Sequence, residues 1–455
     1  MKFKTIIAIF ICKALCMFLR LLRRGGTALP GKIAVGICPN LLQHLAKDVS
    51  CIAITGTNGK TTSARMLEQF YIDRGVGYIA NKSGSNLMRG IVVDFALNAT
   101  ATGKPKKKYA VIECDEAASK AVFKYIDPDI VLVTNVFSDQ LDRFADVGAT
   151  VECIKNGIIN APHATVCLNA DDPLTSSLAD DIPNKVVFFG VNTETYDKYA
   201  DEFSDVRFCA RCNAEYEYDY RTYGHLGGFR CPGCGHARRS PDIAVAELSA
   251  SDEDSQTVRL QAHGEVFETK INIPGAYNIY NAAGVVAAAF EAGFSSKEAR
   301  IALESFERGF GRMEKFTANG VAVRIILVKN AVGCNQALNY LLSLSGDALL
   351  AICLNDNIAD GTDISWIENV NFNKLLDMGE RLRGAFISGT RAAEMTARVR
   401  KAGVPDALIK QLGSPDEMLD AALAGEAPVY ILPTYTALLE IRASLRKKYG
   451  IKGSF

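Results

Sequence analysis

Residues 51–62 of this chain read CIAITGTNGKTT, and no other stretch restricts its fold as strongly. Residues 51–55 are a β-branched apolar run of the kind that makes a buried strand. Gly56, Thr57, Asn58 and Gly59 make a tight turn, and Lys60, Thr61 and Thr62 open a helical stretch to about Asp73. A strand, a glycine turn and a helix N-terminus in succession build an anion site. Backbone N–H groups and the helix dipole point at phosphate, Lys60 adds a cation, and a Thr hydroxyl suits Mg2+. The segment predicts ATP binding. It departs from the general P-loop pattern in one place, because Ile54 stands where that pattern has its first Gly.

Short apolar runs recur at 51–55, 109–113, 130–134, 165–168 and 186–189, with helical stretches between them. This alternation predicts an α/β unit with a mostly parallel sheet and helices on both faces. Ligands bind such sheets at the carboxyl ends of the strands, so the polar residues ending these runs are candidates. They are Glu113 and Asp115 in VIECDE, Thr134, Asn135 and Asp139 in TNVFSDQLDR, and Asn169, Asp171 and Asp172 in LNADDP. The carboxylates are expected to gather around the phosphates and offer oxygen ligands to Mg2+. Taken singly, each is also an ordinary cap or turn residue, Asp172 before Pro173 above all. A second α/β unit follows, with strands expected at 321–328, 348–354, 384–388 and 429–432. Its most polar spot is LNDNIADGTDISW (354–366), which on its residues alone reads as a solvated loop.

Cys209-x2-Cys212 is followed after eighteen residues by Cys231-x2-Cys234. Two such knuckles supply the four thiolates of a tetrahedral Zn2+, and a full set of cysteine ligands makes the site structural. The remaining cysteines are scattered, which fits a reducing compartment. Lys+Arg and Asp+Glu each number 51, so no global field recruits nucleic acid. At the N-terminus, Lys2, Lys4, apolar residues 6–12 and 14–19, then Arg20, Arg23 and Arg24 resemble a signal peptide or short anchor. Lys13 interrupts the apolar run at a cost of about 2.5–3.5 kcal/mol at mid-bilayer. No small-residue cleavage site follows, and the uninterrupted stretch is too short to span. Such a helix packs on the protein body or rests on the inner membrane face.

The motifs GTNGKTT, VIECDE, TN…DQLDR, LNADDP, GAYNIYNAAGVVAAA (275–289) and FGRME (310–314) occur in the order found in Mur ligases, which this chain resembles. Those enzymes form an acyl phosphate from ATP and a carboxylate, which an amine then attacks. The resemblance implies ATP on residues 56–62, Lys60 on the β/γ phosphates, and Thr61 with Glu113 on Mg2+. It also implies Asn278 near the adenine, with Asn281 one turn along, and Arg312 on the nucleotide. From the residues alone, Asn278 opens an Ala-rich helix and Arg312 sits in a hinge turn.

Only about 47 residues precede the P-loop strand, and Asp139-Gln140 replaces the usual Asp-His. Both features, with the cysteine knuckles, resemble the MurT-type synthetase subunits. The implied fold is a Mur ligase-type ATP-binding domain (48–314) with an inserted four-cysteine zinc ribbon (about 203–240). A helical segment (1–47) precedes it and a Rossmann-like C-terminal domain (315–455) follows.

The activity implied is amidation of the D-glutamate α-carboxylate of lipid II, in the cytoplasm or peripherally at the inner membrane face. The chain has no glutaminase nucleophile elbow, since Cys334 sits in Val-Gly-Cys-Asn-Gln. The resemblance implies that ammonia comes from a GatD-type glutamine amidotransferase, whose Cys-His pair Asp356, or else Asp360, would complete. Two other readings are an amino-acid-adding Mur or folylpolyglutamate-type ligase without a partner, and a zinc-ribbon ATPase binding nucleic acid. Against the second, Asp and Glu interleave with the Arg and Tyr residues of the ribbon and cancel its field.

Overall fold

A computed structural model gives the fold and describes residues 2–22, 28–81, 85–137, 147–193, 206–307 and 312–451, with Lys2 and Arg312 described in backbone only. Asp139 and Gln140 lie outside the described residues. The first six strands of the chain run parallel in one sheet: β1 (Ser50–Thr55), β2 (Tyr78–Ala80), β3 (Tyr109–Glu113), β4 (Ile130–Val133), β5 (Thr165–Asn169) and β6 (Val186–Val191). β7 (Glu217–Tyr223) and β8 (Leu226–Arg230) form a separate hairpin. β9 (Ile243–Ser251) continues the parallel sheet in the same sense beside β6. β10 (Gln256–Ala262) and β11 (Glu265–Ile271) then extend it, in the order β11-β10-β9-β6-β5-β4-β1-β3-β2.

β1 is apolar along its length because both its faces are covered. Ile52 and Ile54 face the helices Lys60–Asp73 and Ala276–Glu291, while Cys51 and Ala53 face the opposite layer. That layer holds the helices Lys2–Leu21, Met88–Leu97 and Glu116–Ile126. The N-terminal helix thus packs on the body, through Ala8, Ile9, Cys12 and Cys16. Among the described residues no helix is long and apolar enough to cross a membrane.

The second sheet comprises β12 (Arg312–Ala318), β13 (Val321–Ile326), β14 (Ala348–Cys353), β15 (Leu382–Ser388), β16 (Ile409–Gln411) and β17 (Val429–Pro433), ordered β12-β13-β17-β14-β15-β16. It is parallel except for the β12–β13 hairpin, whose Asn319-Gly320 turn has two positive φ angles. Arg312 therefore opens a strand and not a hinge turn, and its side chain lies outside the described ones. The change from one sheet to the other falls before Arg312, so the 314/315 division cuts through β12.

The β9–β10 connection grips the second sheet. Arg324 pairs with Asp254 at 2.9 Å, Lys315 with Asp254 at 2.7 Å, and Tyr340 Oη donates to Glu253 O at 3.0 Å. One apolar core runs continuously from the helical face of the first sheet into the second unit.

Candidate active site

β1 delivers the chain into the turn 56–59 at the carboxyl edge of the first sheet. Gly56 has φ 116°, and a Cβ there would lie 2.4 Å from Thr134 Oγ1 and 2.7 Å from Asn135 O. Gly59 has φ 87°, and a Cβ there would meet Asn281 Oδ1 at 2.1 Å. Only glycine fits either position. Asn135, on the neighbouring strand end, clamps the loop. Its carbonyl accepts Thr57 N–H (2.9 Å), its Oδ1 accepts Asn58 N–H (3.0 Å), and its Nδ2 donates to Asn58 O (3.1 Å). Asn135 and the loop are thus brought together as expected, with the asparagine acting on the loop's backbone.

Thr61 Oγ1 donates to Glu113 Oε2 at 2.9 Å, placing two oxygen donors side by side at the first turn of the helix Lys60–Asp73. Lys60 is buried, and its ammonium pairs with Glu116 Oε1 at 2.6 Å while also donating to Gly56 O. The sequence reading missed Glu116. VIECDE followed by Ala117 offers three carboxylates within four residues, and backbone geometry assigns them different tasks. Glu113 reaches Thr61, Asp115 caps the helix Glu116–Ile126 by accepting Ala117 N–H, and Glu116 holds Lys60.

A cleft opens beside the loop, lined by Asn58, Gly59, Thr62 and Asn135 from the first sheet's edge. Tyr277, Asn278 and Asn281 line it from the Ala-rich helix, and Ile326, Val332 and Gly333 from the second unit. Asn278 is buried and does not cap its helix. Its Nδ2 donates to Pro274 O at 2.7 Å and its Oδ1 accepts from Asn281 Nδ2 at 3.1 Å. Asn58 Nδ2 is buried with no partner among the described residues, a donor left for a ligand. Tyr277, Ile326, Val332 and Tyr223 of β7 were not foreseen, because apolar lining has no local signature. On the other side of the loop, Thr61 and Glu113 border a second, more polar cleft with Arg65, Glu68 and Asn81.

Two carboxylates expected at the phosphates are elsewhere. Asp171 is fully buried and accepts from Arg238 Nε (2.6 Å), Tyr280 Oη (2.6 Å) and Val191 N–H (3.0 Å). Burial pushes its pKa up, with Arg238 opposing. Asp172 caps the helix Pro173–Leu178 and accepts Val136 N–H at 2.8 Å. Both point into the protein and fasten the ribbon and the β4–β5 edge to it. Asn169 is also structural, donating to Thr134 O.

Cys209, Cys212, Cys231 and Cys234 converge, all four sulfurs lying within 4.8 Å of one another. Cys209 and Cys234 Sγ are 3.7 Å apart, and Cys212 and Cys231 Sγ are 3.3 Å apart. A tetrahedron with Zn–S near 2.3 Å has edges of about 3.8 Å, so the cluster is compatible with zinc. Neither histidine joins it. His236 Nδ1 bonds Tyr216 Oη at 3.0 Å, and burial pushes its pKa down to about 4; His225 is fully buried beside Asp172.

Asp356 follows β14 on the carboxyl rim of the second sheet. It is partly exposed and accepts from Thr390 Oγ1 (2.9 Å) and Arg391 Nε (2.7 Å). These hydrogen bonds, Arg391's first, hold its carboxyl below the usual range. Asp360 is buried and spent internally, accepting Thr436 N–H at 2.6 Å and the Thr436 hydroxyl.

Two mostly parallel sheets meeting over a strand–loop–helix phosphate cradle define an ATP-dependent ligase of the Mur type. The Mur ligase middle domain profile matches residues 54–226, and the MurT ligase C-terminal profile matches residues 327–438. Among solved structures, a pseudomurein peptide ligase type C from Methanothermus fervidus superposes with a TM-score of 0.69 at 20% identity, covering 90% of this chain and 80% of that one. MurF from Thermotoga maritima, in complex with ADP, superposes with a TM-score of 0.63 at 15% identity, covering 91% and 84%. The lipid II isoglutaminyl synthase (glutamine-hydrolyzing) subunit MurT of Streptococcus pneumoniae R6 is 33% identical over 454 residues, which is 99% of each chain. The chain belongs to the MurT family.

Proposed function

We propose that this chain is the synthetase subunit of a lipid II isoglutaminyl synthase. It uses ATP to activate the α-carboxylate of D-glutamate in the lipid II stem peptide for amidation. The observation that carries this is the full-length relationship to MurT, which spans both the phosphate cradle and the Asp356 rim. ATP lies on residues 56–62 with its base in the cleft beside Asn278, and the resemblance to Mur ligases assigns Arg312 to the nucleotide as well. Lys60 supplies positive charge at the β/γ phosphates. Thr61 and Glu113 hold Mg2+, which neutralises developing charge when bound. The polar cleft beyond Thr61 admits the acceptor, whose carboxylate oxygen attacks the γ-phosphorus and releases ADP. Ammonia then attacks the acyl carbon and phosphate leaves, giving the D-isoglutaminyl amide. Positioning and charge neutralisation carry both steps. The four cysteines hold a structural zinc that shapes the ribbon.

Ammonia comes from a GatD-type glutaminase seated on the second unit. Asp356 suits the orienting role because its carboxylate is ionised, fixed by Thr390 and Arg391, and open to a partner's imidazole. Asp360 has no oxygen to spare. A lipid-anchored acceptor also calls for peripheral contact with the inner membrane face. The test is glutamate release and lipid II amidation by the reconstituted pair, wild type beside Asp356→Asn. Loss of hydrolysis with the complex intact supports the shared triad, and unchanged hydrolysis removes Asp356. An acceptor that takes an amino acid with no glutaminase present would make this an amino-acid-adding ligase.

A further inference from the structure

We propose that the outward face of the N-terminal helix is a docking surface for an anionic lipid bilayer, with the helix lying flat on it and its inward face still packed on the protein. The helix Lys2–Leu21 has twenty residues and is about 30 Å long. Its inward ladder of Ala8, Ile9, Cys12 and Cys16 is sealed in the core. The opposite ladder, Phe3, Phe10, Met17 and Leu21, is spaced by seven, seven and four residues and so shares one face. These four side chains are 75, 72, 71 and 81% exposed. A helix apolar on both sides belongs in a core or a membrane. With one side already in a core, and with no helix among the described residues fit to span, an interfacial position remains.

Charge identifies the occupant. Across the whole chain Lys+Arg and Asp+Glu balance at 51 each, yet the first 47 residues carry eight Lys/Arg and no Asp or Glu. Lys4 and Arg20 flank the apolar ladder. Lys13 Nζ donates to Ala99 O, which ties the helix to the segment whose sequence continues as Gly-Lys-Pro-Lys-Lys-Lys at 103–108. Exposed apolar side chains inside a basic surround match acyl chains beneath anionic headgroups. A second copy of the same face would set like charges against each other. The choice of a bilayer also rests on the lipid-anchored acceptor proposed above, whereas the face and its charge do not.

The experiment is co-sedimentation of the full chain, bound to its glutaminase, with phosphatidylglycerol or phosphatidylcholine vesicles. Wild type is expected to bind the anionic vesicles at least about tenfold better, with the preference shrinking in high salt. Phe10→Glu with Met17→Glu should lower binding at least about tenfold. Amidation of a water-soluble acceptor and the melting temperature should stay unchanged. If the double variant misfolds, Phe10→Ser with Met17→Ser should still lower binding severalfold. Wild type that stays in solution with anionic vesicles overturns the proposal, as does a folded variant that binds as well as wild type. Loss of a chain dimer or of the glutaminase in the variant would assign the face to protein and also overturn it. A wild-type pair that amidates no acceptor, yet shows the expected vesicle contrast, would fail the functional reading alone.

Discussion

At the residue scale, the two aspartates of the 354–366 segment separate cleanly. Asp356→Asn should reduce partner-dependent glutamine hydrolysis by roughly a hundredfold or more while leaving complex formation and melting temperature near wild type. Asp360→Asn should mainly lower the melting temperature, because it weakens the contacts to Thr436 at the start of the helix Tyr435–Tyr449. Asp94 sits on the helix Met88–Leu97 with Oδ2 buried and unpartnered, and burial raises its pKa to about 7. Between about pH 4 and 7 the folded chain therefore holds a proton that the unfolded chain has lost. Stability is expected to fall as pH rises through that window, by at most about 1.4 kcal/mol per unit, and to level off above it. Asp94→Asn should flatten the profile and stabilise the protein at pH 8, as thermal melts across pH would show.

At the scale of elements, the cysteine ribbon is coupled to the nucleotide cleft. Tyr223 of β7 lines that cleft and stacks on Phe137 at 5.6 Å, while Thr222 Oγ1 bonds Tyr280 Oη at 2.7 Å. The same Tyr280 reaches Asp171, which binds Arg238 just beyond the knuckles. Cys212→Ser, or removal of zinc by a chelator, should abolish one equivalent of bound zinc, lower the melting temperature and raise the KM for ATP. Zinc analysis, calorimetry and ATP titration read these separately. Unaltered ATP affinity in a zinc-free, folded ribbon would show the hairpin to be independent of the cleft.

At the scale of the whole molecule, the cleft is shared by two sheets. Asn58 Oδ1 accepts from Asn330 Nδ2 at 3.3 Å across it, and Arg324 fastens the β9–β10 connection to the second unit. A nucleotide bound there contacts both units and should stabilise them together. At a hundred times its dissociation constant, ATP with Mg2+ should add about 2.7 kcal/mol, read as one cooperative upward shift of the melting transition. Lys60→Ala should remove that shift. Two separate transitions, only one of them moved by nucleotide, would mean that the second unit contributes no binding energy.

Much of the molecule was legible in its chain. Buried parallel strands are continuous apolar runs, so β1, β3, β4, β5, β6 and the central strands of the second sheet stand out at nearly their observed bounds. Glycine turns and cysteine knuckles are local chemistry and can be read from spacing. β9, β10 and β11 are not such continuous runs, because strands exposed on one face carry their signal as alternation; β10 reads Gln-Thr-Val-Arg-Leu-Gln-Ala and buries Val258, Leu260 and Ala262. The direction of a side chain at a strand end was hidden. Glu113 turns towards Thr61, while Asp171 and Asp172 turn inward to Arg238 and to the backbone, and only the packing of distant segments sets that difference. The sequence by itself determined the phosphate cradle, the two α/β units and the cysteine cluster, each encoded within a few dozen contiguous residues. Tertiary structure alone decided that Glu116 holds Lys60, that Asp356 is open where Asp360 is spent, and that the N-terminal helix leaves an apolar face uncovered. Those outcomes depend on partners far away in the chain, which no local pattern records.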